Sequence, residues 1–358
     1  MNSLAADVAA PKKIKQADKL LSSKFIMPIS SNASYVPTMD EFSAHFSQCN
    51  AVLGASPLII RLPDDSTINL VQFDALRTTV QTRQLAVQDK QINQQIARAI
   101  VEQQKTDLLD TLNGFNQFID AYYQDTRFLS ARPDAPGITE GQERFSGPLF
   151  DAMLLWEKVN AGPAPAGVTL PVTLPDGTTQ GSFASAISAL QFAYLEVKKA
   201  GQAVTLARAD RDLSQARAYA AMKCYRQTVP IKLEMHPELV STMPALTPAP
   251  GHTPVPVQAS GVLLAPNQSK VVYTASTDPT LDRYQLRGSV GDTYDEQDAV
   301  VIATNQPGDP LEFITTFGLT QPGAEISLKV FVVLTTGNES GSATITLERP
   351  ALILPLAA

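Results

Sequence analysis

Leu62-Pro63-Asp64-Asp65-Ser66-Thr67 and Leu174-Pro175-Asp176-Gly177-Thr178-Thr179 are one phrase written twice, and they decide the fold. Each reads as a small β-hairpin, because proline presets the backbone ahead of a bend and aspartate caps it. Outward from each phrase the chain repeats itself. A short apolar helix ending in Asn-Ala (Asn50-Ala51, Asn160-Ala161) comes before, and a long amphipathic helix, starting near Val71 or near Phe183, comes after. The two pseudo-repeats cover about residues 38–125 and 148–228.

Between residues 71 and 123 only Gly114 interrupts good helix formers. Leu85, Ile92, Ile96, Ile100, Leu108, Leu112, Phe115, Ile119 and Tyr122 recur at threes and fours, the period of one buried seam. Gln81, Gln84, Gln88, Gln91, Gln94 and Gln95 lie between them and read as solvated. Some 50 residues at about 1.5 Å each make a rod of roughly 75–80 Å, which needs a partner of similar length. Residues 183–227 supply it, through a seam of Ile187, Leu190, Tyr194, Val197, Gly201 and Val204. Beyond Val204 the seam shifts to Leu206, Ala209, Leu213, Ala216 and Ala220. The second helix must run back along the first. The expected fold is therefore α+β and multidomain: duplicated short-helix/β-hairpin/long-helix units in an antiparallel coiled coil, with a knob at each end.

Local signals set the boundaries. Pro28 and Pro37 predict extended chain between them, and Thr38 with Glu41 predicts a capping box that opens the first short helix. A Pro/Gly loop is expected over 128–147, the second short helix over 148–160, and the end of the second long helix before Pro230. Residues 1–26 read as a basic flexible tail, 27–238 as the helical domain, 239–254 as a proline-rich extended linker, and 255–358 as a β-sandwich.

Composition bounds the class. In 358 residues, 44% are hydrophobic and 18% charged, which describes an ordered chain with a sizeable core. A net charge of −7 argues against a nucleic-acid binder, which needs clustered Lys and Arg. Five lysines stand within residues 1–24, whereas residues 251–358 hold eleven acids against five Lys and Arg. The basic arm reads as a solvated tail or as an arm that docks on an acidic neighbour. No stretch has the roughly 18–20 apolar residues of a membrane span, and no signal-peptide pattern opens the chain. Localisation stays open between the cytoplasm and export by a non-classical route. The two cysteines, Cys49 and Cys224, are too few for a disulfide scaffold or a zinc site and read as buried thiols.

The C-terminal part changes character. Alternating segments such as Lys270-Val271-Val272-Tyr273-Thr274 and Ile326-Ser327-Leu328-Lys329-Val330 predict about seven strands in a sandwich. Tyr273-Thr274-Ala275-Ser276-Thr277-Asp278 followed by Leu281-Asp282-Arg283-Tyr284-Gln285-Leu286-Arg287 resembles the B and C strands of a fibronectin type III module. Leu319-Thr320-Gln321-Pro322-Gly323 before the strand from Ile326, and Thr335-Thr336-Gly337-Asn338-Glu339-Ser340 before the last strand, continue the resemblance over about 255–350. Two positions depart from the family: Tyr273 stands where the core tryptophan is usual, and Ile326 at the corner tyrosine. The resemblance implies a binding and spacing module without catalytic residues.

No catalytic signature stands beside these elements. His45, His236 and His252 are the histidines, and no nucleophile elbow, phosphate loop or His-Glu-x-x-His occurs. No catalytic, cofactor or metal residue is therefore assigned, and no cofactor is expected. The densest acidic cluster, Asp292, Asp295, Glu296 and Asp298 around Tyr294, is either a solvated loop or a set of oxygen ligands for Ca²⁺. Tyr122, Tyr123 and Phe128, at the far tip of the helices, are the aromatic candidates for partner contact.

The sequence thus predicts a non-enzymatic structural or assembly protein, with a helical spacer and a β-sandwich interaction module. Its expected partners are proteins, including copies of itself, with no nucleic acid and no integral membrane segment. One alternative is a membrane-active helical toxin or secreted effector, using the hairpin at 168–179 as a tip. Another is an adhesin or carbohydrate-binding module, suggested by the sandwich alone.

Overall fold

The computed structural model describes residues 28–124 and 126–350. The expected basic tail, 1–26, lies outside the described residues. The helical part runs α1 (Tyr35–Leu53), β1 (Ile60–Arg61), β2 (Thr67–Ile68), α2 (Leu70–Tyr122), α3 (Arg127–Ser130), α4 (Gln142–Asn160), α5 (Gln180–Lys232) and α6 (Pro237–Ser241). The short helices α1 and α4 both have 19 residues, and the long helices α2 and α5 both have 53.

The segments joining them match in local chemistry. Asn50 Oδ1 accepts the Leu58 N–H at 2.8 Å, and Asn160 Oδ1 accepts that of Val172 at 2.8 Å. Asp64 and Asp176 each accept the backbone N–H two residues on. The next residue is left-handed in both, Asp65 at φ 63° and Gly177 at φ 86°. Asn69 then caps α2 reciprocally with Gln72, and Thr179 caps α5 with Ser182. The second turn holds only one bridge, Thr173 to Thr179, where the first is a two-stranded ribbon.

Helices α2 and α5 run antiparallel: Arg83 pairs with Asp210 at 3.1 Å, and Gln94 lies against Gly201. Their ends are closed by two apolar clusters. At one end Phe42 and Phe46 of α1 pack on Phe73 and Tyr225. At the other, Trp156 of α4 stacks on Phe115 at 4.5 Å and packs on Phe183.

The seam between the long helices departs from the expected one. Leu85, Ile100, Leu206 and Leu213 are exposed, whereas Gln84, Gln88, Arg211 and Gln215 are buried. Mid-helix, the covering surface is polar, made by segment 28–34 and the loop at 291–299, so Gln84 and Arg211 turn inward to meet the Asn32 and Gln297 carbonyls. The register shift after Val204 is thus an outward-facing stripe.

Three boundaries also differ. Helix α1 opens at Tyr35: the Ser34 hydroxyl accepts the N–H of Ser30 and Ser31, and Thr38 donates back to the Ser34 carbonyl inside the first turn. The expected Thr38–Glu41 capping box is not the helix start. Pro37 fits there because a first-turn residue needs no intrahelical donor. Pro148 lies inside α4, and Pro230 lies inside α5, which continues to Lys232. Both are carried through by neighbours held in the core, Phe145 and Leu149 in one case, Val229 and Leu233 in the other.

The C-terminal strands are β3 (Ala259–Ala265), β4 (Gln268–Tyr273), β5 (Leu281–Val290), β6 (Val300–Asn305), β7 (Glu312–Thr315), β8 (Glu325–Leu334), β9 (Glu339–Gly341) and β10 (Ile345–Glu348). They form a sheet β3-β4-β7 and a sheet β10-β8-β5-β6, with β9 also on β8. Antiparallel pairing throughout, with the chain crossing between sheets from β4 to β5, β6 to β7 and β7 to β8, makes a sandwich with eight strands among the described residues, where about seven were expected. Tyr273 fills the core against Tyr284 and Phe313, and Ile326 is fully buried at the corner position. On β5 the Tyr284 hydroxyl accepts the Ser276 N–H at 2.7 Å.

The segment expected as an extended linker is packed down. Leu239, Val240, Met243 and Leu246 lie on the Phe46 cluster, and the Leu246 carbonyl accepts the Ile29 N–H at 3.0 Å. Further on, the Ala249 N–H donates to the Thr336 carbonyl at 3.0 Å, tying the segment to the sandwich.

Candidate functional site

A lone sandwich sheet alternates between a core face and a wet face, but β5 is buried along nearly its whole length. Its outward residues Arg283, Gln285, Arg287 and Ser289 are covered, with segment 28–34 and the long helices against that face. The covered face is polar, so the junction must satisfy charges in partial isolation from water.

Asp298 is its centre. The loop before β6 places this carboxylate, with a fully buried side chain, against α5 and α2. Arg211 Nη1 donates to Oδ1 at 2.6 Å, while Arg208 Nε and Gln91 Nε2 donate to Oδ2 at 2.9 and 2.6 Å. Arg208 also reaches Asp295 at 3.2 Å, and the bond to Asp298 holds its guanidinium more firmly protonated. The neighbouring Gln297 carbonyl accepts from Arg211 at 2.9 Å and from Asn32 at 2.8 Å. Gln84 closes the ring by donating to the Asn32 carbonyl at 2.6 Å.

A second knot lies on β5. Arg287 grips Glu339 with both terminal nitrogens, donates to Gln285 Oε1, and stands 4.2 Å over the Phe331 ring. Ser30 donates to the same Glu339 at 2.7 Å. Beside it Arg283 pairs with Asp282, and desolvation opposes both charges, raising the Asp282 carboxyl and lowering the Arg283 guanidinium.

The sequence-predicted residues are distributed as follows. Of the acidic cluster, Asp298 and Asp295 serve the arginines of α5, and Asp292 is exposed. Among the described residues no group of His, Cys, Asp and Glu is arranged to hold a metal ion. Tyr294 is burial-shifted upward and takes Lys329 over its ring. Tyr123 and Phe128 are buried, correcting the expected exposed tip, because α3 folds back and sets their rings edge to face at 5.4 Å; Tyr122 alone of the three is exposed. His45 and Cys49 lie together under Tyr225 at the near cluster, and Cys224 is half-buried. His236 pairs with Glu238, and His252 with Asp278 on the sandwich. Sequence reasoning missed Arg208, Arg211, Gln91 and Arg287. Their signal was a polar interruption in an otherwise apolar period.

A surface groove of about 720 Å³ lies between α3 and α4, lined by Phe128, Leu154, Leu155 and Lys158 among others. The hairpin tip of the toxin alternative buries Val172 and Leu174. Among the described residues no helix is long and apolar enough to cross a membrane.

No family model and no curated protein matches the chain. Among solved structures it is similar to the fn3 domain of human contactin 1, at 15% identity over 31% of this chain and 87% of that one, with a TM-score of 0.24. It is similar to an Fn3-like protein from Clostridium thermocellum, at 22% identity over 30% of this chain and 98% of that one, TM-score 0.21. A pectate lyase, Pel3 from Pectobacterium carotovorum, is similar at 14% identity over 29% of this chain and 30% of its own, TM-score 0.22.

Proposed function

We propose that the chain is a non-enzymatic structural and assembly protein, in which a helical spacer carries a β-sandwich interaction module. In this reading the two halves of the spacer are a duplicated unit, folded into an antiparallel coiled coil with a knob at each end. The observation that carries it is the clamp at Asp298: two arginines of α5 and a glutamine of α2 fix the sandwich to the middle of the paired helices. Two 53-residue helices are roughly 80 Å long, and so rigid a mounting suits a part that sets distance and orientation.

With the β5–β8 face committed to the helices, the outer face of β3-β4-β7 is the sandwich surface left for a protein partner. Val262, Leu264, Val272 and Ile314 are exposed there. Copies of the same chain are the other expected partner. Light scattering after size exclusion, over a concentration series, tests the assembly half. A discrete oligomer or a growing polymer is expected, and a monomer at every concentration overturns it.

A further inference from the structure

Helix α5 carries a second heptad stripe that nothing among the described residues covers. Phe192, Lys199, Leu206 and Leu213 are each seven residues apart, as are Leu195, Gln202, Ala209 and Ala216. Phe192 is 60% exposed, Leu195 53%, Leu206 69% and Leu213 72%. On α5, Arg211 and Gln215 are turned inward and buried, and Arg208 and Arg211 reach the sandwich, so the stripe lies on a different side from that contact. A stripe of this period fits another helix as partner.

We infer that the partner is α5 of a second copy, packed antiparallel about a two-fold axis near Ala200 and Gly201. Between residues 192 and 209 the pattern matches itself about that point. Phe192 then meets the small Ala209 of the other copy, Leu195 meets Leu206, and Lys199 meets Gln202, so bulk faces space, apolar faces apolar, and polar faces polar. One surface serving both copies is what a closed two-fold interface requires. The polar central layer fixes register, since a one-heptad slip sets Lys199 against Leu195 in one direction and Gln202 against Leu206 in the other. The flanking residues agree: Lys198 comes beside Thr205 and Gln191 beside Asp212, with no like charges opposed. The stripe exposes on the order of 500 Å² per copy, so pairing covers on the order of 1,000 Å² before flanking side chains are counted, about the minimum for a specific interface.

The inference rests on the self-association in the proposed function and gives that association its surface. The test compares light-scattering mass over a concentration series for the intact protein, Leu206→Glu, and Leu264→Glu as a control on the sandwich. Both leucines are exposed, so both variants keep the fold, checked by far-ultraviolet circular dichroism. The expected result is a dimer for the unaltered chain and Leu264→Glu, and a monomer for Leu206→Glu. If the unaltered chain associates and Leu206→Glu associates equally well, this surface is wrong while assembly stands. If the unaltered chain is monomeric throughout, both ideas fall. Orientation is read separately by mixing Leu195→Cys and Leu206→Cys chains under mild oxidation. A mixed disulfide between them supports the antiparallel axis, and cross-linking of Leu206→Cys to itself alone overturns it.

Discussion

The Tyr225 hydroxyl lies 2.6 Å from His45 Nδ1, while His45 Nε2 donates to the Leu239 carbonyl at 2.9 Å. With Nε2 donating, the neutral ring accepts the tyrosine proton at Nδ1, and both nitrogens are satisfied without charge. The pair joins α1, α5 and α6, so it locks the near end of the helical body.

Burial lowers the His45 pKa below its ordinary 6.5. A lowered folded pKa means the unfolded chain takes up a proton first as pH falls. Stability is therefore complete above about pH 6.5, declines as the pH falls below it, and levels off once the folded imidazole itself protonates. Urea titrations from pH 8 to pH 5 should show that decline, and His45→Gln should flatten it. An unchanged pH slope in the variant would assign the decline to other groups.

Tyr225→Phe keeps the ring packing and removes the proton that Nδ1 accepts. Leaving one buried acceptor unsatisfied costs about 1–3 kcal/mol. The same titration at pH 8 measures it, and a loss below about 0.5 kcal/mol would show that the bond contributes little.

Asp298→Ala strips Arg211 of its buried counter-charge. Removing one partner of a buried ion pair costs about 3–5 kcal/mol. Arg208→Ala should cost distinctly less, because its side chain is 41% exposed and water can replace it. We expect Asp298→Ala to loosen the sandwich from the helices, seen as faster hydrogen exchange in segment 28–34 and along β5. Protection equal to that of the unaltered protein would remove Asp298 from the centre of the clamp.

Trp156 is the single tryptophan and stacks on Phe115 at the far end, so its fluorescence reports on that cluster. Phe115→Ala should shift the emission to longer wavelength and cost about 3–5 kcal/mol. Emission that stays put would mean the ring is held by Phe183 and α4 alone.

The two turns offer a matched pair. Gly177→Ala, at φ 86°, should cost about 1–2 kcal/mol from the left-handed backbone. Asp65→Gly, at φ 63°, should be neutral or mildly stabilising. Melting temperatures of the two variants decide whether the turns are equivalent in energy as well as in shape.

Local chemistry wrote much of this molecule into the sequence. The Leu-Pro-Asp turns, the long helices and the sandwich strands each depend on residues within a few positions of one another, and their spacing was enough to place them. The seam was legible at the far end, where Phe115, Ile119, Ile187 and Leu190 meet apolar neighbours, and as far as the buried Val204. In the middle the pattern pointed the wrong way. Leu206 and Leu213 read as core, yet Arg211 and Gln215 are the buried residues, because which face of a helix is covered depends on what lies against it. The same holds for Tyr123 and Phe128, turned inward by α3, and for the proline-rich segment pinned between the helices and the sandwich. Asp298 shows the limit most plainly. In sequence it is one acid in an acidic loop; only a sheet brought against α5 supplies two guanidinium groups, and a carboxylate buried from water is stable only where such partners converge.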